Sequence, residues 1–178
     1  MFRRLNNRRA IKADAGVLYF EILYRARHPG LYQHIGVADT LDGRFEMTIV
    51  HVVMLLRRLK QLDESEIAQS VIDTMFEDMD QALRELGVSD VKVAKRIKPM
   101  AEAFQGRAAA YNAALDAAGD GAALTEALAR NVFPDDDGGA TSEALAGYIR
   151  RLESCLSGRA IADLKAGNVA WPEPVEQP

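Results

Sequence analysis

Apolar residues recur with helical spacing along most of the chain. The clearest example lies between about residues 40 and 62, where they follow an i, i+4, i+7, i+8 pattern. Its main apolar positions are Phe45, Ile49, Val52, Val53, Leu56 and Leu59. Because Met47, Val50, Met54 and Leu55 on its other faces are apolar too, we expect this helix to be buried at the centre of the protein. The β-branched residues would also suit a strand, but the length of the segment and an N-cap at Asp39 favour a helix.

Similar patterns predict helices in most of the remaining chain. The expected ranges are residues 15–28, 64–86, 90–115, 122–131, 141–156 and 160–165. Residues 31–38 are expected to form a connection, and we find no convincing strand or internal repeat. The predicted fold class is therefore all-α, with one domain of six to seven helices.

Helix boundaries follow from capping and breaking residues. Asp14 and Asp90 are predicted N-caps, and Pro29-Gly30 is a predicted stop. Pro99 should kink or break the fourth helix, because it lacks a backbone N–H and its ring clashes with the preceding turn. Beyond it, Phe104, Gly106 and Arg107 suit either core packing or a close approach between helices. These residues are all in the predicted range 90–115.

The chain is expected to have three parts, and the first is set apart by its charge. The first twelve residues contain five basic side chains and no acid: Arg3, Arg4, Arg8, Arg9 and Lys12. We expect residues 1–12 to be a basic flexible arm, either a solvated terminus or a contact for the ribosome or an anionic membrane surface. Residues 13–171 should form the single helical domain and 172–178 a flexible tail. At 178 residues with 48% hydrophobic content, the chain can bury one ordinary core.

The third and fourth helices carry opposite charge. The third has many acidic residues, including Asp78 and Asp80, whereas the fourth begins with Lys92, Lys95, Arg96 and Lys98. Two interpretations remain open. The helices offer complementary fields to a partner protein, or they neutralise one another across a solvated surface.

Catalytic and metal-binding motifs are absent from the sequence. The three histidines, His28, His34 and His51, lack the spacing of a zinc or di-iron site, and no phosphate-binding loop follows a strand. Cys155 is expected to be an inert core thiol, and the run Asp135-Asp136-Asp137 lacks the spaced ligands of a calcium loop. The sequence thus predicts a binding protein with no cofactor and no bound metal, rather than an enzyme.

An ordered series of motifs carries a resemblance to a known family. It begins with residues 32–45, YQHIGVADTLDGRF, and continues through His51 and residues 55–59, LLRRL. It then includes FEDMD at 76–80, LRELGV at 83–88, KRIK at 95–98 and FQGR at 104–107, and it closes with Tyr111. Over about 80 residues this series resembles the ubiquinol-cytochrome c chaperone family, and the chain looks like a compact bacterial relative of its mitochondrial members.

The resemblance implies a helical chaperone that binds newly made cytochrome b and assists biogenesis of the bc1 complex. A small helper protein and the ribosome are further implied partners, and no DNA partner is expected. Because the chain has a single cysteine and no apolar run long enough to span a membrane, we expect a cytoplasmic location, with peripheral contact at the inner face of the inner membrane. Partner contacts are expected at Tyr32, Asp39, Thr40, Asp42, Arg44, Asp78, Asp80, Lys95, Arg96, Lys98 and Arg107.

A second function class remains open from the same residues. Tyr24, Tyr32, His34 and His51 fall near one apolar helix pair. The alternative is therefore a helical carrier or enzyme that binds quinone or haem in the same respiratory pathway.

Overall fold

The computed structural model describes residues 2–119, 121–134 and 139–174, with only the backbone described for residues 2–5. All secondary structure in these ranges is helical, which confirms the predicted fold class. The helices are α1 (Phe2–Ala26), α2 (Pro29–Gln33), α3 (Leu41–Gln61), α4 (Ser65–Glu85), α5 (Asp90–Asp116), α6 (Ala122–Val132), α7 (Ala140–Ser157) and α8 (Ile161–Lys165). Within the same ranges, no helix is long and apolar enough to cross a membrane.

The centre of the fold is α3, as its pattern predicts. Residues 46–55 are buried without interruption, and α1, α4, α5, α6 and α7 all pack against this helix. At its end Arg57 donates hydrogen bonds to Asn112 and Asp116, each at 2.8 Å, and to Glu153 at 3.0 Å. One guanidinium group therefore links α3 to α5 and α7.

The first helix begins at Phe2, thirteen residues before the predicted start. Residues 2–12 thus continue α1 instead of forming a separate arm. The reason is tertiary, because Ile11 packs against the core and the Lys12 ammonium lies 2.9 Å from the Glu77 carboxylate on α4. Asp14 is consequently inside the helix, where it lies 3.3 Å from Lys165, and the prediction that it is an N-cap is wrong.

The predicted stop at Pro29-Gly30 is also the start of another helix. Pro29 occupies the first turn of α2, where its missing N–H costs nothing. The His28 ring accepts a hydrogen bond from the Gly30 amide at 3.1 Å and caps that turn. The sequence predicts a helix stop and a connection over residues 29–33, and the short helix α2 corrects that prediction.

Two other predicted caps are displaced by one residue. Thr40, and not Asp39, caps α3, since its hydroxyl oxygen accepts a hydrogen bond from the Gly43 amide at 3.1 Å. Ser89 is the N-cap position of α5, which makes Asp90 the first helical residue. The α4–α5 connection remains a tight turn at the expected place.

Pro99 does not break α5, which runs through it from Asp90 to Asp116. Pro99 and Lys95, whose carbonyl would have accepted the missing bond, are both exposed, so water can satisfy that carbonyl. Phe104 is buried and meets the Phe76 ring edge-on, with 6.0 Å between the ring centroids. Gly106 is exposed and touches no neighbouring helix, which excludes a close helix approach at that position.

The C-terminal segment folds back over the core. The Trp171 indole donates to Glu21 at 3.3 Å, and the Arg151 guanidinium donates to the Pro174 carbonyl at 2.8 Å. Residues 172–174 of the predicted tail therefore pack on the domain, whereas 175–178 and the run Asp135-Asp136-Asp137 lie outside the described residues. Cys155 is half-buried on α7 and does not belong to the core.

Candidate functional site

A pocket of about 800 Å³ opens at the start of α3. Its walls come from the segment before α3, from α5, from the end of α6 and from the start of α7. Apolar side chains line one part of it, and a buried ion pair lies in another. The main lining residues are Thr40, Asp42, Phe45, Glu46, Arg107, Asn131, Phe133 and Thr141. Three partner contacts predicted from the sequence, Thr40, Asp42 and Arg107, meet in this pocket.

The rim at α3 is held by an unusually close backbone approach. A Cβ added to Gly43 would overlap the Ala38 carbonyl oxygen, so any larger residue forces the segment outward. Glycine is required here because of this contact and not because of a special backbone angle. The same close approach allows the Gly43 amide to bond with Thr40.

Glu46 and Arg107 form the charged pair in the pocket. The Arg107 Nε donates to the Glu46 carboxylate at 2.6 Å, and a second guanidinium nitrogen binds the other oxygen of that carboxylate. Glu46 is only 6% exposed. Burial raises the pKa of Glu46 above its usual value, while the bonds to Arg107 oppose that rise. The pair therefore presents a fixed, nearly neutral polar group beside apolar walls.

Tyr111 lies near this pair, on the buried face of α5. Its hydroxyl group is buried and makes no hydrogen bond of good geometry within the described part of the chain, although Asn131 lies close to it. Burial first, and the negative charge of Glu46 second, raise the pKa of Tyr111. The hydroxyl consequently stays protonated.

Outside the pocket, Asp39 and Arg44 form an exposed pair with 2.7 Å between the Arg44 Nε and the Asp39 carboxylate. This bond holds the pKa of Asp39 below its usual value. Tyr32, a further predicted contact, is half-buried, and its hydroxyl donates to the Ala26 carbonyl at 2.6 Å. Burial raises the pKa of Tyr32. Tyr32 thus stabilises the turn between α1 and α2 through this bond.

The other five predicted contacts lie on α4 and α5. Asp78 accepts a hydrogen bond from the Tyr19 hydroxyl at 3.0 Å, and Asp80 binds Arg84 at 2.6 Å. Lys95, Arg96 and Lys98 are exposed on α5. The partner contacts predicted from the sequence as one set therefore include residues of two separate surfaces, the pocket at α3 and the α4–α5 hairpin.

The end of the α4–α5 hairpin exposes apolar side chains. Leu86 is 70% exposed and Val91 is 69% exposed, one on each side of the turn. Arg84 joins the two helices there, because its guanidinium binds both Asp80 and Asp90. This tip therefore combines charged side chains with exposed apolar surface, as is typical of protein-binding sites.

His51 is not available to a ligand. Its Nδ1 lies 2.7 Å from the Met47 carbonyl oxygen and must donate, so its Nε2 accepts from the Tyr148 hydroxyl at 2.8 Å. The ring is fully buried and also meets the Trp171 ring. Tyr24 and His34 are exposed on the surface. The side chains named for quinone or haem binding therefore do not share one site.

No cluster of three or more His, Cys, Asp or Glu side chains suited to a metal ion occurs in the described ranges. The residue that sequence reasoning missed is Glu46. It had a signal, because it is an acidic side chain inside the most apolar run of α3, and a buried charge needs a partner. Asn131 and Phe133 had no such signal, since only the packing of α6 brings them to the pocket.

Comparison with known proteins agrees with this architecture. The family model of the ubiquinol-cytochrome C chaperone matches residues 33–171. The chain is 27% identical over 175 residues to the ubiquinol-cytochrome-c reductase complex assembly factor 1 of Xenopus laevis, and this match covers 96% of this chain and 86% of that protein. It also superposes on the crystal structure of the Cbp3 homolog from Brucella abortus with a TM-score of 0.82, 36% sequence identity and 98% coverage of both chains.

The matched range contains the pocket, the buried Glu46–Arg107 pair and the α4–α5 hairpin, so these features lie within the shared domain. The relatives extend the agreement over nearly the whole chain. The resemblance inferred from the motifs between Tyr32 and Tyr111 is confirmed, and the chain belongs to the ubiquinol-cytochrome c chaperone family.

Proposed function

We propose that this protein is an assembly chaperone of ubiquinol-cytochrome c reductase and that its client is newly made cytochrome b. The observation that carries this proposal is the family match over residues 33–171. The named function of the Xenopus laevis relative, assembly of this complex, supports the same role. The choice of cytochrome b as client rests on the motif series from Tyr32 to Tyr111, which resembles that of factors that assist cytochrome b.

We assign client binding to two surfaces, the pocket at α3 and the tip of the α4–α5 hairpin. The pocket combines apolar walls with the polar Glu46–Arg107 pair, so it suits one side chain or turn of an unfolded segment. The tip adds exposed Leu86 and Val91 beside charged side chains. A client chain awaiting insertion into a membrane exposes apolar residues, and both surfaces offer apolar area to such residues.

Deletion of the gene provides the first test of the role. The amount of assembled bc1 complex and its haem b absorbance should fall, and expression of the unaltered protein should restore both. A control strain carrying a deletion of an unrelated gene should retain normal levels. Normal bc1 content after deletion would overturn the proposal.

The pocket can be tested separately with Asp42→Arg at its rim. Asp42 is exposed in the first turn of α3, and Glu66 is equally exposed in the first turn of α4, outside the pocket. Both reversals remove a favourable charge at a helix start, a loss of about 0.3–1 kcal/mol. Asp42→Arg should lower bc1 assembly in complementation, whereas Glu66→Arg should not. Equal complementation by the two variants would argue against client contact at the pocket.

A further inference from the structure

The outward side of α1 combines exposed aromatic rings with arginines. Arg9, Val17, Phe20 and Tyr24 lie within a sector of about 80° on the helix, and Arg27 follows on the same side directly after the last turn. We call this set the outer α1 face. From Arg9 to Tyr24 it extends over roughly 22 Å of helix.

The rings on this face are not used by the core. Phe20 is 67% exposed and Tyr24 is 68% exposed, while Val17 is 41% exposed. Phe20 and Tyr24 are one helical turn apart, so their exposed surfaces are contiguous. Single exposed apolar residues are common on soluble proteins, but two neighbouring rings with a valine form a patch that suits a partner surface.

An apolar groove continues the patch at the C-terminal end of α1. It has a volume of about 340 Å³ and is lined by Phe20, Leu23, Tyr24, Arg27, His28 and Pro29. The groove opens beside the exposed rings. It provides space for part of an acyl chain next to the arginine of the same face.

The charge of the face is positive. Arg9 and Arg27 are exposed, and neither forms an ion pair with a carboxylate in the ranges that the structure describes. The nearest acids on the helix are already engaged, since Asp14 binds Lys165 and Glu21 accepts from Trp171. Beside the groove, the exposed Glu173 carboxylate lies 3.7 Å from both His28 and Arg25. Arg9 and Arg27 are therefore the cations through which the outer α1 face attracts anions.

We propose that the outer α1 face lies on an anionic phospholipid bilayer. Phe20 and Tyr24 enter the level of the headgroups, where aromatic rings are favoured, and Arg9 and Arg27 contact lipid phosphates. An RNA partner fits less well, because RNA affinity depends on many phosphate contacts and this face provides two described arginines beside apolar surface. Lys12, which also belongs to the basic segment, is bound to Glu77. The proposal does not depend on the identity of the client.

Vesicle flotation with the full chain tests this surface. The protein should float with phosphatidylcholine vesicles that contain phosphatidylglycerol and remain at the bottom with pure phosphatidylcholine. Arg9→Gln and Arg27→Gln should each lower the partition coefficient roughly fivefold, since each charge near an anionic surface contributes about that factor. Phe20→Ala with Tyr24→Ala should lower it by at least about tenfold.

Two matched controls separate this surface from general stickiness. Leu86→Ala with Val91→Ala removes equally exposed apolar side chains from the hairpin tip. Lys95→Gln with Arg96→Gln removes two exposed cations from α5. Neither pair should change vesicle binding by more than about twofold. All substituted side chains are exposed, so unchanged circular dichroism and thermal midpoint are expected for every variant.

Several results would overturn the proposal. One such result is failure of the protein to float with phosphatidylglycerol vesicles. Another is equal flotation after the Phe20 and Tyr24 substitutions. Binding to RNA in a gel-shift assay, lost in the Arg9 and Arg27 variants, with no vesicle binding, would identify the face as an RNA contact instead. Loss of flotation in the hairpin controls to the same extent would likewise contradict it.

Discussion

The buried histidine on α3 predicts a specific loss of stability in acid. His51 is fully buried, and burial lowers its pKa to about 4 from an ordinary value of 6.5. The positive charge of nearby Arg25 lowers this pKa further, whereas the bond from Nδ1 to the Met47 carbonyl opposes the shift. In the folded state His51 therefore remains neutral well below the pH at which the unfolded chain takes up a proton.

The sign and size of the effect follow from proton linkage. Because the folded pKa is depressed, the stability is fully present above about pH 6.5 and is lost as the pH falls towards 4. Each unit of difference in pKa corresponds to about 1.4 kcal/mol, so the whole loss is about 3 kcal/mol. Between about pH 7.5 and about pH 5 the expected loss from His51 is about 2 kcal/mol.

Urea unfolding at these two pH values measures the contribution, with His51→Gln as the test variant. A glutamine side chain does not titrate, so the stability gap between the wild type and the variant should shrink by about 2 kcal/mol at the lower pH. His34→Gln controls for the loss of a histidine, because His34 is exposed. A gap between the wild type and His51→Gln that stays constant across this pH range would refute the assignment of a buried neutral His51.

Three further predictions concern the pocket and the competing function. Arg107→Met should destabilise the protein by about 3 kcal/mol in urea unfolding, because it leaves the buried Glu46 carboxylate without its partner. Adding Glu46→Gln to Arg107→Met should restore at least half of that loss. Additive effects of the two substitutions would contradict the pairing. Gly43→Ala should lower the free energy of unfolding by about 1–2 kcal/mol through loss of the Thr40 cap. Gly106→Ala, in an open helical position, should raise it by about 0.5–1 kcal/mol. A Gly43→Ala variant with unchanged stability would refute the close contact with Ala38. Titration of the protein with haem or a quinone analogue should show no saturable change in absorbance or fluorescence, since both ring nitrogens of the buried His51 are already bonded. Saturable binding would favour the carrier function instead.

The helices that could be predicted are those whose apolar pattern is continuous. Residues 45–59 predict a central helix because apolar residues occur on nearly all of its faces. The structure agrees, since α3 is buried over most of the same stretch. The start of α1 could not be predicted in this way. Residues 2–12 carry mostly polar side chains, and their helical state is favoured by packing along α4, including the contact from Lys12 to Glu77. Tertiary contacts of this kind leave no periodic signal in the sequence.

The candidate site was partly predictable for a similar reason. Thr40, Asp42 and Arg107 emerged from the motif series, and the structure brings them to one pocket. Their most important neighbour, Glu46, did not emerge, since an acid in an apolar run looks like a simple interruption until Arg107 is placed beside it. The walls supplied by α6 and α7 depend on packing between distant segments, so no local pattern indicates them.

Cap residues show the limit of local rules. Asp39 and Thr40 are both good N-cap residues, and the sequence alone gives no reason to prefer the threonine. The choice depends on Arg44, which binds the Asp39 carboxylate at 2.7 Å and removes it from the helix start. Thr40 is then the side chain that bonds to the Gly43 amide.

Capture of newly made cytochrome b tests the central claim most directly. Cells expressing an affinity-tagged form of this protein are labelled briefly with a radioactive amino acid, chased, treated with a crosslinker and subjected to purification of the tagged chain. Labelled cytochrome b should be enriched at the earliest times and should decline during the chase as it enters the bc1 complex. Absence of cytochrome b from the purified material at every time, with normal recovery of the tagged chain, would contradict the account.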